Sequence, residues 1–83
     1  MVTVKFSASL RERTGESDLT VDAGDAPSVR RLIKLLDERF PGVGEQLSDG
    51  HSVAINGEII ADPLYEDIPD GAEVHFIPAI AGG

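Results

Sequence analysis

One segment of this 83-residue chain carries a single apolar stripe at helical spacing, and that stripe dictates what the remaining residues must build. After Val29 come Leu32, Ile33, Leu36 and Phe40, at offsets of 3, 4, 7 and 11, which at about 100° per residue share an arc of about 100°. Ser28 stands where an N-cap belongs, with Pro27 just outside. Arg39 falls in the last turn, and Pro41-Gly42 forbids continuation. Leu35 lies at the edge of the stripe, while Arg30, Arg31, Lys34, Asp37 and Glu38 face solvent. A helix that is apolar on one side only must be covered by one apolar surface, and the flanking segments read as the strands that provide it.

Val2 to Ala8 alternates, placing Val2, Val4, Phe6 and Ala8 on one face and Thr3, Lys5 and Ser7 on the other. Glu16 to Asp22 supplies a second run with Leu19 and Val21, and Ser9 to Gly15 reads as the enlarged loop of an antiparallel hairpin. Beyond the helix, Ser52 to Asn56 alternates as a strand, Asn56-Gly57 signals a tight hairpin and Glu58-Ile59-Ile60 returns. Asp62-Pro63 and Pro69-Asp70-Gly71 punctuate a turn-rich connector before Glu73 to Ile77, a last strand with Val74 and Phe76 sharing one face. The expected order is ββαβββ: a single α+β domain over residues 1–78, with a mixed sheet packed on one main helix.

What this domain could do is narrowed by what it lacks. Without cysteine it forms neither disulfides nor thiolate metal sites. Neither His51 nor His75 falls in a metal-ligand spacing, and no nucleophile-elbow, P-loop or dinucleotide fingerprint occurs, so the chain is not expected to be catalytic alone. His75 alternates with Val74 and Phe76 and so should point away from the helix, while His51 borders a turn. Glu66, Asp67 and Asp70 crowd one loop without calcium-loop spacing, which reads as a solvated acidic loop; no metal site is expected. No apolar stretch approaches the ~18 residues of a membrane span and no signal-peptide core is present, so a cytoplasmic location is expected, with no membrane partner.

The charges are segregated along the chain. All seven bases precede Pro41 and are balanced there by seven acids, whereas the stretch beyond carries eight acids and no base. The net charge of −8 resides in that second half. Such a surface repels phosphate backbones, so no nucleic-acid partner is expected, and a basic protein surface is the better match.

After the last strand comes Pro78-Ala79-Ile80-Ala81-Gly82-Gly83. Pro78 blocks further sheet pairing, so residues 79–83 read as a flexible tail, and five residue steps extend ~17 Å. Glycines at 82 and 83 pass a narrow channel and leave a terminal carboxylate open to attack. Condensed with the α-phosphate of ATP, that carboxylate becomes an acyl-adenylate that a sulfur, thiol or amine nucleophile can take over. The tail is therefore a candidate group-carrier arm.

With these segments in view the chain resembles the MoaD/ThiS-like sulfur carriers of the ubiquitin-like β-grasp fold. Phe6-Ser-Ala8-Ser-Leu10-Arg11-Glu12-Arg-Thr-Gly15 looks like the F-x-A-x-x-R-E-x-x-G start of the small subunit of molybdopterin synthase. Phe40-Pro41-Gly42, Val53-Ala-Ile-Asn56-Gly57 and Pro69 to Pro78 with Gly82-Gly83 are similar too. The resemblance implies a C-terminal thiocarboxylate on Gly83, made by an E1-like adenylyltransferase that uses ATP and magnesium, with a sulfur donor protein. It implies delivery to a large catalytic subunit of molybdopterin synthase, and no cofactor bound by this chain itself. Partner contacts are expected at Gly82, Ala81, Ile80, Ala79, Ile77 and Arg11, Ile77 because it alternates to the open face of the sheet. Ala79 and Ala81 stand where the molybdopterin subunit often has Pro and Ser; Pro-Ala-x-Ala-Gly-Gly also looks like carriers for cysteine biosynthesis, with thiamin carriers ranked third. A ubiquitin-like modifier whose Gly83 forms an isopeptide with lysine is the reading from a different class.

Overall fold

The computed structural model describes residues 1–48, 51–60 and 65–78. Its elements are β1 (Val2–Phe6), α1 (Ala8–Thr14), β2 (Asp18–Val21), α2 (Val29–Arg39), α3 (Val43–Ser48), β3 (His51–Ile55), β4 (Glu58–Ile60) and β5 (Glu73–Pro78). The five strands form one sheet in the order β2-β1-β5-β3-β4. β1 and β5 run parallel at its centre and the other neighbours are antiparallel, so the sheet is mixed.

Register explains why one face is apolar. Phe76 lies opposite Phe6 on one side and Val53 on the other, and Val74 lies opposite Val4 and Ile55. With a side-chain period of two, these pairs put Val2, Val4, Phe6, Val74, Phe76, Val53 and Ile55 on a single surface, and all are buried. Val29, Leu32, Ile33 and Leu36 of α2 join the same cluster. The expected helix is thus present with its expected stripe; Phe40 is half-buried at the C-cap, its ring edge-on to Phe6 at 6.4 Å. Ser28 caps α2 as expected, its Oγ accepting the Arg31 N–H at 3.3 Å.

Two helices were not anticipated. Ser9 to Gly15 is not a hairpin loop but most of α1, and Ala8 is an exposed helical residue rather than the fourth inward residue of β1. Leu10 anchors α1 in the core, and Gly15, at φ 76°, ends it with its N–H on the Arg11 carbonyl. α3 buries Val43 and Leu47 in the same core. A single side chain holds its start: Asp37 Oδ1 accepts the N–H groups of Gly42 at 3.1 Å and Gly44 at 2.9 Å, a cap supplied by the preceding helix. β2 is also shorter than the expected Glu16–Asp22 run. Among the described residues no helix is long and apolar enough to cross a membrane.

α2 carries one electrostatic oddity. Its first turn holds no acid but contains Arg30 and Arg31, where the helix dipole disfavours cations by about 0.3–1 kcal/mol each.

Two stability outcomes follow from this packing. Phe76→Ala should cost about 3–5 kcal/mol, since it empties the site where three strands meet; a denaturant midpoint near wild type would show that this site collapses without cost. Gly44→Ala, which ordinary helix propensity would favour, should instead destabilise by about 1–3 kcal/mol. Its Cβ would lie 2.8 Å from Asp37 Cβ. A raised melting temperature would contradict the close approach.

Candidate functional site

α1, α2 and α3 all contribute to the core on one side, and among the described residues no helix covers the other side of the sheet, the open face. Across its middle run Thr3 and Lys5 of β1, Glu73, His75 and Ile77 of β5, Ser52 and Ala54 of β3, and Ile59 of β4. Ile77 is 38% exposed, on the face the alternation assigned to it and beside Pro78, where β5 ends. His75 also points away from α2 and is exposed. Its Nε2 lies 3.1 Å from Glu73 Oε1, and Lys5 Nζ lies 3.8 Å from Asp18 Oδ2. A cleft of about 150 Å³ between β1 and β5 is lined by Lys5, Ser7, His75 and Ile77 together with Phe6 and Phe76.

Ile59, 68% exposed, is the apolar residue that the sequence reading passed over. It was within reach: the two-residue Asn56-Gly57 turn, with both residues at positive φ, sets Ile55 opposite Glu58 and Ala54 opposite Ile59. Once Val53 and Ile55 are assigned to the core, Ile59 must share the open face with Ala54. Ala54 is itself buried there, a small side chain between its cross-strand neighbours His75 and Ile59. Ile77, Ala54 and Ile59 form a diagonal apolar band across β5, β3 and β4.

Arg11 is placed differently. It is exposed on α1, at the same end of the molecule as Pro78 but on the layer of helices, and the structure does not bring it onto the band with Ile77. The expected partner contacts Ala79, Ile80, Ala81 and Gly82, and Gly83, expected to bear the thiocarboxylate, lie outside the described residues.

Five acids of the second half lie at the opposite end, whereas Glu45 sits on α3, which follows the end of α2. Glu73 begins β5, Glu58 follows the β3–β4 turn, the Glu66 carbonyl accepts the first N–H of α2, Asp67 bridges to Ser28, and Asp70 pairs with the Met1 ammonium. That hydrogen bond and charge hold the Asp70 carboxyl below its ordinary value. Among the described residues the sequence asymmetry has thus become in part an asymmetry between ends, with these five acids remote from Pro78.

Against known proteins, the chain is 30% identical over 57 residues to the molybdopterin synthase sulfur carrier subunit of Pyrenophora tritici-repentis (strain Pt-1C-BFP). That match takes in 65% of this chain and 61% of the fungal protein's length. In structure it is similar to a chain of the Amycolatopsis orientalis BexX/CysO complex, at 26% identity and a TM-score of 0.83 over 100% of both chains. It is also similar to SAMP1 from Haloferax volcanii, at 26% identity and a TM-score of 0.78 over 99% of this chain and 98% of that one. These likenesses carry the ubiquitin-like β-grasp architecture that the family resemblance implied. The sequence matches the ThiS family across residues 4–83, from the first strand to the second glycine, and the chain belongs to that family.

Proposed function

We propose that this protein is a sulfur carrier whose C-terminal residue, Gly83, is carried as a thiocarboxylate and donates its sulfur in molybdopterin synthesis. The observation behind it is continuity: the family match runs through Gly82-Gly83, and these follow within five residues of Pro78, where β5 leaves the edge of the open face. Residues 1–78 serve as the handle and 79–83 as the arm. The molybdopterin acceptor is supported by the fungal relative, itself a molybdopterin synthase sulfur carrier subunit.

The chemistry belongs mostly to partners. A Gly83 carboxylate oxygen attacks the α-phosphorus of ATP held with magnesium by an E1-like adenylyltransferase, and pyrophosphate leaves. Sulfide then attacks the acyl carbon and AMP departs with that oxygen, leaving a thiocarboxylate with no change of oxidation state. Where a persulfide attacks instead, an acyl disulfide forms, and a second thiol must reduce it. With no cysteine, this chain supplies neither sulfur nor thiol. Its own contribution is positional: the exposed Ile77 and Ile59, on either side of the buried Ala54, dock on the partner and the tail enters the active site. The large catalytic subunit of a molybdopterin synthase would receive the sulfur at that same face.

A second reading has its own support. SAMP1 is a small archaeal modifier protein, and its likeness to this chain favours an amine as the acceptor of the activated carboxylate.

Two experiments test the carrier reading. Deleting Gly83, or adding one residue after it, should abolish ATP–pyrophosphate exchange catalysed by the cognate adenylyltransferase and leave the melting temperature unchanged; exchange at the wild-type rate would refute the role of the carboxylate. Ile77→Asp should weaken binding to that enzyme by about tenfold or more, because a desolvated carboxylate would lie unpaired at the interface. If Ile77→Asp binds normally, the open face is not the docking face.

A further inference from the structure

The cleft between β1 and β5 lies on the open face, at the end of the sheet where Pro78 stands. Phe6 and Phe76, which are register partners, form its floor, and Lys5, Ser7, His75 and Ile77 form its walls. The polar ends of two of these walls are already committed, Lys5 Nζ to Asp18 and His75 Nε2 to Glu73. What remains for a ligand is the lysine stem, the imidazole flank and the Ile77 side chain, so the lining is mostly apolar and selects no charge. One polar atom stands apart. Ser7 Oγ is buried and, among the described residues, has no hydrogen-bond partner; Ser7 is the N-cap residue of α1, yet its side chain makes no cap bond. Leaving a buried hydroxyl unpaired costs free energy, which a peptide group set beside it would recover.

The chain itself supplies an occupant. Residues 79–83 read Ala-Ile-Ala-Gly-Gly. Four of the five are small enough to thread a narrow channel. Ile80 is the exception, a bulky aliphatic side chain that gains by leaving water. It follows Ile77, a wall of the cleft, by three residues, and three residues span at most ~10 Å. A four-carbon side chain suits a cleft of about 150 Å³, the size of an apolar cavity that takes up benzene. So short a tether also holds Ile80 beside the cleft at an effective concentration on the order of millimolar, and a contact too weak for a separate ligand can form within the chain.

We propose that in the free protein Ile80 seats in the cleft between β1 and β5, with a peptide group of residues 79–81 on the Ser7 hydroxyl. Ordering these residues offsets part of what burial gains, so the seat is reversible. Its consequence rests on the carrier reading. There the cleft belongs to the docking face, so a partner that covers Ile77 displaces Ile80 and frees Gly82-Gly83 for its active site. The arm is held against the domain until the surface that releases it arrives.

NMR of the full chain alone, with labelled isoleucine methyls, tests the seat. The Ile80 methyls should show nuclear Overhauser contacts to the His75 ring and the Ile77 side chain, and order parameters at residues 79–81 should stand above about 0.6. Ile80→Ser alters no residue of the domain, so the melting temperature should hold while those order parameters fall below about 0.6. Ser7→Ala removes the hydroxyl without removing a helix cap, and should lower them too. Absence of the methyl contacts in the wild-type chain would overturn the proposal, as would order parameters unchanged by Ile80→Ser or by Ser7→Ala. Contacts found only between differently labelled chains in a mixed sample would also overturn it, by seating a second copy in the cleft. No partner enzyme enters these measurements, so their failure leaves the carrier reading standing, and a chain that never carries sulfur leaves the seat standing.

Discussion

Phe76 sits between Phe6 and Val53 at the middle of the sheet, and the rest of the molecule is arranged to keep that position dry. β5 is the central strand, hydrogen-bonded on both sides, so it cannot shift without carrying the cores of β1 and β3 with it. A slip of one residue would turn Val74 and Phe76 to solvent and bury His75 and Ile77. The register that stabilises the core therefore also decides which residues appear on the open face. It also ends β5 at Pro78, at the end of the sheet where β1 stops and α2 finishes. Stability and the make-up of the open face depend on the same strand.

Most of this architecture was legible because it rests on strong periodicities. The stripe of α2, the alternation of β1 and β5 and the Asn56-Gly57 turn each follow from local spacing. The two short helices were not legible for the same reason. α1 is a seven-residue helix that buries only Leu10, and α3, with six residues, depends on Asp37 from another element for its cap. Neither has enough turns to show a period, and the capping contact lies across the fold.

At the candidate site the same division holds. Ile77 could be placed from alternation alone, and Ile59 follows once the hairpin register is added. Arg11 could not be placed that way, because its motif was read as a loop and its position is set by α1. The charge asymmetry was visible as a count, yet its meaning changed on folding. β5 starts where the acidic connector ends, which puts Glu66, Asp67, Asp70 and Glu73 at the end of the sheet away from Pro78. The open face and the layer of helices behind it follow from one small sheet packed on one main helix.

The central claim is that Gly83 carries sulfur, and it is tested most directly on the chain isolated from its own cells. Intact-mass measurement, with fragmentation to localise the change, should find a population in which one oxygen of the Gly83 carboxyl has been replaced by sulfur. Finding Gly83 only as an unmodified carboxylate, or only in isopeptide linkage to the lysines of other proteins, would contradict the account.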